Sequence, residues 1–158
     1  TYEYIHDNPA VSFQRIDYTN NPFLIAQHDN MVAINSALEI DLTGQVTAES
    51  IGRIFHSGMG GQADFMRGAV RARGGKPILT IQSTAHDCTV SRIAPTLSQG
   101  AGATLTRGDV HYVVTEYGVA DLYGRTLRER SRLLMAIAHP DDRETLERAW
   151  RSSQSTHG

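Results

Sequence analysis

The 158 residues, 40% of them hydrophobic and 20% charged, suit one domain with its own core and leave too little chain for two. A net charge of −2 gives no electrostatic reason to expect nucleic acid or an acidic membrane surface as partner, and no apolar run approaches membrane-spanning length. Cys88 is the only cysteine, so no internal disulfide can form; with no signal-type apolar segment in Thr1–Ala10, the cytoplasm is the expected compartment.

Lys76 is the only lysine among 15 basic residues, which leaves one candidate for Schiff-base chemistry. The arginines suit bidentate phosphate recognition, but a compositional bias that places them on solvated faces is the commoner explanation, and composition assigns no phosphate partner. The start at Thr1 carries the expectation of a longer parent protein.

From Met31 to Leu42 the apolar residues Val32, Ile34, Leu38, Ile40 and Leu42 alternate, predicting one bent strand or a strand pair with Asn35 near the bend. A turn follows at Thr43-Gly44-Gln45. Three glycines among Gly58-Met59-Gly60-Gly61 leave the backbone bare just before a helix predicted over Gln62–Arg73, which Gly74-Gly75 closes. Such a corner permits φ > 0 and close approach to a ligand, and free N–H groups at the following helix start can bind phosphate or a developing oxyanion.

Strands are predicted at Pro77–Gln82, Gly102–Thr106 and Val110–Thr115, the last of them rich in β-formers. The C-terminal third reads as helical, with capping-box spacing at Thr126–Glu129 and again at Asp141–Glu144, and with His139-Pro140 ending the first helix. Arg151 to Gly158 reads as a polar tail. Strands separated by helices make this an α/β domain, a single open sheet flanked by helices.

Gly58-Met59-Gly60-Gly61-Gln62-Ala63 matches G-x-G-x-x-A, the dinucleotide pattern. The preceding Ile51–His56 is a poor buried strand, however, and Gln82-Ser83-Thr84 stands where a ribose-binding acid belongs. Glu116 directly follows the clearest strand, where α/β sheets collect ligands; it is a working carboxylate, an exposed surface glutamate, or one paired with an arginine such as Arg107. Asn35 is polar within an apolar strand and either satisfies a bulge or aims its amide into a site.

Ser91-Arg92 offers a hydroxyl and a guanidinium, with loop roles as the alternative. His86-Asp87-Cys88 holds the materials of a thiol nucleophile in an order whose side chains seldom face one another, so a loop is expected there. The seven histidines show no H-x-x-x-H or H-E-x-x-H spacing, and no metal is indicated.

Taken together, Ala33 to Gln45, Ser57 to Phe65 with Arg67-Gly68-Ala69, Ser91-Arg92-Ile93, and Val113 to Leu122 resemble the C-terminal domain of the acetyl-CoA hydrolase/transferase family. That family includes the 4-hydroxybutyrate and acetate CoA-transferases. The likeness covers about Asn21 to Ala149 and extends through Arg128-Glu129-Arg130 and Ile137-Ala138-His139-Pro140. It departs at Asp142, where the family usually has an aromatic residue.

The resemblance implies a fold of the CoA-transferase type, with residues 1–20 as the end of a linker or missing half, 21–150 as the domain and 151–158 as the tail. It implies an enzyme that exchanges CoA between an acyl-CoA and a small carboxylate through a glutamyl intermediate, or hydrolyses the thioester, with coenzyme A as carrier and no metal. The nucleophilic glutamate is expected upstream, because Thr1–Asn20 contains only Glu3, in no matching motif. The chain would then work with the N-terminal half of the same enzyme, in a possible homo-oligomer, and without nucleic acid or membrane.

Carried over, Gly58, Gly60, Gly61 and Gln62 would bind CoA and supply oxyanion donors, while Asn35 and Glu116 would form a polar pair that supports or orients the reacting groups. Glu116 as the nucleophile itself is a further possibility. The readings of another class are an NAD-binding domain and a non-catalytic CoA-binding module.

Overall fold

The computed structural model describes residues 1–85 and 89–155 and begins with three single-turn helices, α1 (Tyr2–Ile5), α2 (Ile16–Thr19) and α3 (Pro22–Ile25). There follow β1 (Val32–Ser36), β2 (Glu39–Asp41), β3 (Val46–Thr47), β4 (Ser50–Ile51), β5 (Ile54–Phe55), α4 (Gln62–Arg71), β6 (Lys76–Thr80), β7 (Thr84–Ala85), β8 (Val90–Ser91) and β9 (Ile93–Ala94). The chain continues through β10 (Tyr112–Thr115), β11 (Gly118–Asp121), α5 (Leu127–Ala136) and α6 (Pro140–Ser155).

The main sheet runs β1-β6-β10-β11, with β1, β6 and β10 parallel and β11 returning antiparallel through a tight turn. Pleating divides its side chains between two faces. Ala33, Leu79, Val113 and Ala120 are buried on one face, against Met66 and Ala69 of α4 and Leu134 of α5. Val32, Ile34, Ile78, Tyr112, Val114 and Val119 share the other by register. There Ile34 is 64% and Val119 61% exposed, so one whole side of an apolar sheet carries no helix among the described residues.

The alternating stretch from Met31 to Leu42 is neither one bent strand nor a strand pair but two strands, β1 and β2, that belong to different sheets. Beyond Ser36 the chain leaves the main sheet, and β2 joins the second sheet β3-β2-β9. The turn at Thr43–Gln45 is drawn around the Asp41 carboxylate, which accepts from the Thr43 and Gln45 N–H groups.

Helix α4 starts at Gln62 as expected and ends at Arg71, two residues early. Thr126 caps α5 with the full reciprocal box, its hydroxyl accepting from Glu129 N–H while the Glu129 carboxylate accepts from Thr126 N–H.

Three expectations need correction. Gly102–Thr106 is not a strand: only Leu105 makes a bridge, to Val46, while Gly102 N–H donates to Ser50 Oγ and the Thr104 hydroxyl accepts from Ala48 N–H, so both bonds go to side chains instead of to a ladder. The Asp141 cap is pre-empted by Pro140, which opens α6 with its φ already set, and His139 Nδ1 accepts from Asp141 N–H. Arg151–Ser155 extends α6 as exposed helix. Among the described residues, no helix is long and apolar enough to cross a membrane.

Candidate active site at the strand ends

The carboxyl ends of β1, β6 and β10 lie side by side and open into a cleft of about 450 Å³, bordered by Ser36, Thr80, Gln82, Arg92, Thr115 and Glu116. Glu116 occupies the two-residue turn between β10 and β11, and that turn is tied down from below. Thr115 Oγ1 donates to the Ile137 carbonyl at 2.7 Å and accepts from Tyr117 N–H at 3.1 Å. Tyr117 meets the His139 ring edge-on, with centroids 5.5 Å apart. A carboxylate on such a turn is displayed rather than left to wander.

Its partner is Ser83, a fully buried residue just past the end of β6. Ser83 N–H donates to Glu116 Oε2 at 3.0 Å and to Oε1 at 3.2 Å, and the Ser83 hydroxyl makes a short hydrogen bond to Oε1. Desolvation pushes the Glu116 pKa up, but the Ser83 hydroxyl and N–H, with the nearby His139, outweigh it and hold the group below the ordinary glutamate range. Glu116 is therefore a fixed anion. The pairing with Arg107 raised as an alternative is absent: Arg107 reaches Thr43 Oγ1.

Ser83 also anchors the neighbouring hairpin, its carbonyl accepting from Arg92 N–H at 2.8 Å where β7 and β8 pair antiparallel. The Ser91 hydroxyl is spent on the Ile93 carbonyl, whereas the Arg92 side chain borders the Glu116 cleft. His86-Asp87-Cys88 lies outside the described residues.

The glycine corner reaches the same edge of the sheet by another route. Gly61 is the N-cap of α4, and Gln62, the first helical residue, donates from Nε2 to the Ser36 carbonyl at the end of β1. The first-turn N–H groups of α4 have no partner within the helix, as at any helix start. Gly60 has φ +58, and a Cβ at Gly58 or Gly60 would meet nothing within 4 Å, so these two face open space, whereas Gly61 is packed against the Asn20 side chain.

Before the corner, β4 and β5 are two-residue strands paired only with each other, with Ile51, Ile54 and Phe55 exposed. A dinucleotide fingerprint needs a buried strand of the main sheet there, and none is present among the described residues.

Asn35 lies opposite Leu79 in the register, on the face that α4 covers, and its carbonyl accepts from the Thr80 hydroxyl at 3.2 Å. The hydrogen bonds to the Glu116 carboxylate come from Ser83, and Glu116 itself follows β10, two strands away from Asn35. Ser83 is the residue that the sequence reading missed. Its signal was a small hydroxyl residue in Gln82-Ser83-Thr84, immediately beyond a strand on the ligand-collecting edge.

An α/β domain with a fixed carboxylate at its strand ends, beside a glycine-rich helix start, has the layout of a ligand-binding half of an α/β enzyme. Residues 1–150 match the sequence profile described as the acetyl-CoA hydrolase/transferase C-terminal domain, and the chain belongs to that family. It is 54% identical over 145 residues to a 4-hydroxybutyrate coenzyme A transferase of Clostridium kluyveri, and 50% identical over 150 residues to a succinyl-CoA:cyclohexane-1-carboxylate CoA transferase of Geobacter metallireducens. These matches cover 92% and 95% of this chain and 34% of each relative, so the chain spans about a third of their length.

Among solved structures, RipA from Yersinia pestis superposes with a TM-score of 0.90 at 43% identity, over 97% of this chain and 34% of that one. A 4-hydroxybutyrate CoA-transferase from Porphyromonas gingivalis gives 0.77 at 45% identity, over 96% and 34%.

Proposed function

We propose that the chain is the C-terminal domain of an acyl-CoA:carboxylate CoA-transferase of the 4-hydroxybutyrate/acetate type. The observation that carries this reading is the Ser83-held Glu116 carboxylate in the strand-end cleft, within a chain half identical to such transferases. A glutamate from the upstream part of the parent attacks the thioester carbonyl, expelling CoA thiolate and forming an acyl-glutamyl anhydride. The thiolate then attacks the glutamyl carbonyl, which releases the first carboxylate and leaves a glutamyl-CoA thioester. The acceptor carboxylate runs the two steps in reverse and departs as the new acyl-CoA.

In this scheme the backbone N–H groups at Gly60 and Gly61 serve the thioester oxyanion, while Gly58 and Gln62 help to line the CoA channel. Glu116, kept ionised and immobile, orients the reacting groups, and Asn35 supports that edge of the site. The uncovered sheet face, with Ile34 and Val119, is where the upstream part of the parent packs, in a cytoplasmic and possibly homo-oligomeric enzyme. Acetyl-CoA hydrolases are also relatives, at 34% identity against 43% to 54% for several transferases, which favours transfer over hydrolysis.

The test is to incubate the full-length parent with acetyl-CoA and 4-hydroxybutyrate or butyrate, follow exchange of the CoA ester, and trap the intermediate with hydroxylamine. A hydroxamate on an upstream glutamate is expected; one on Glu116 would make that residue the nucleophile, and release of free CoA without a new ester would make the enzyme a hydrolase. Gly60→Val is expected to block turnover by filling the open corner, and unchanged turnover would remove the corner from the mechanism.

A further inference from the structure

Arg92 differs from the other arginines in bordering the Glu116 cleft. Arg15, Arg67, Arg73, Arg148 and Arg151 each meet an aspartate or glutamate, whereas the half-buried Arg92, like Arg53, Arg107 and Arg130, has no ion-pair partner among the described residues. Its backbone is nevertheless locked on both sides, with N–H on the Ser83 carbonyl at 2.8 Å and the carbonyl accepting from Ile40 N–H at 2.9 Å. Ser83 thus holds Glu116 with its N–H and hydroxyl and seats Arg92 with its carbonyl. The result is a fixed anion and, on the same cleft, a cation carried on a fixed backbone, with Arg92 the only basic residue of the lining among the described residues.

Resting on the CoA-transferase reading above, we propose that Arg92 recognises the carboxylate group of the acyl acceptor. A carboxylate entering a cleft that already contains the Glu116 anion requires a compensating positive charge, and a planar guanidinium can pair with both of its oxygens. The alternative anion, a phosphate of CoA, lies at the far end of the pantetheine arm from the reacting sulfur. Arg92 borders the reaction cleft, where the acceptor must arrive.

The full-length parent is assayed with acyl-CoA and carboxylate varied independently, for wild type, Arg92→Gln and Arg92→Lys. Arg92→Gln is expected to raise KM for the carboxylate by about ten- to a hundredfold, the size of a lost charge-assisted bond, and to leave KM for acyl-CoA within about twofold. Arg92→Lys, which keeps the charge and loses the fork, is expected to fall between and serves if the glutamine variant does not fold. An unchanged carboxylate KM, or a rise confined to acyl-CoA, overturns the assignment, the latter by moving Arg92 to the CoA phosphates. A wild-type parent that transfers CoA to no carboxylate would instead defeat the underlying functional reading.

Discussion

Ser83 gives both of its donors, the backbone N–H and the hydroxyl, to the carboxylate of Glu116. The depressed pKa that results has a defined sign. Glu116 contributes stability above the unfolded glutamate value of about 4.3, and that contribution is lost as the pH falls through the lower folded value. Ser83→Ala removes the hydroxyl and retains the N–H, so the Glu116 pKa is expected to rise toward the ordinary range. Carboxyl-carbon NMR titration reads this directly; in the parent enzyme the acid limb of the pH–rate profile should move to higher pH. An unmoved titration would mean that the backbone N–H groups and His139 set the charge state without the hydroxyl.

Much of this arrangement was legible from residue order, and the rest depended on pairings that no local pattern encodes. Pro77–Gln82 and Val110–Thr115 carry enough β-branched and apolar residues to predict β6 and β10 to within two residues, and Thr126–Glu129 announces its cap through side-chain chemistry alone. Glu116 was singled out because it follows a strand. Its partner Ser83 was not, because that contact spans 33 positions and depends on β6 and β10 being neighbours. Asn35 shows the same limit: alternation predicts a strand, but only the pairing of β1 with β6, which puts Asn35 opposite Leu79 on the face that α4 covers, explains which face its side chain takes.

Gly68 allows α3 and α4 to touch. A Cβ added there would lie 2.6 Å from Ile25 Cβ and 3.3 Å from the Pro22 carbonyl, so α3 must move away. Alanine in mid-helix gains about 1 kcal/mol over glycine, while overpacking costs about 1–3 kcal/mol. Gly68→Ala is therefore expected to destabilise the chain by up to about 2 kcal/mol net, seen as a lower urea midpoint with an unchanged slope. A stabilised variant would show that α3 yields freely.

The bare sheet face should make the 158-residue chain associate with itself. Ile34 and Val119 stand on the same face at opposite edges of the sheet, with Ile78 and Val114 between them, a contiguous apolar surface of the kind that marks an interface. Ile34→Lys with Val119→Lys is expected to shift the chain toward monomer in sedimentation velocity without lowering its melting temperature. In the parent the same pair should weaken activity by disturbing the packing of upstream sequence. Unchanged sedimentation would place any self-association on another surface.

His111 couples the fold to pH near neutrality. It is 8% exposed, its Nε2 has no hydrogen-bond partner among the described residues, and its ring lies 4.3 Å from that of Tyr123. Burial pushes the His111 pKa down; Asp121 and Asp109 oppose this and Arg130 reinforces it, leaving the group below the ordinary histidine value. The unfolded chain therefore binds a proton more readily than the native one. Stability is fully present above about pH 6.5 and falls as the pH drops toward the folded pKa. Thermal melts from about pH 7.5 down to about pH 5, above the range where carboxylates titrate, should show a declining melting temperature. His111→Phe retains a ring for Tyr123 to pack against and removes the buried acceptor, so its profile should be flatter across that window. An identical slope in the variant would assign the pH dependence to other histidines.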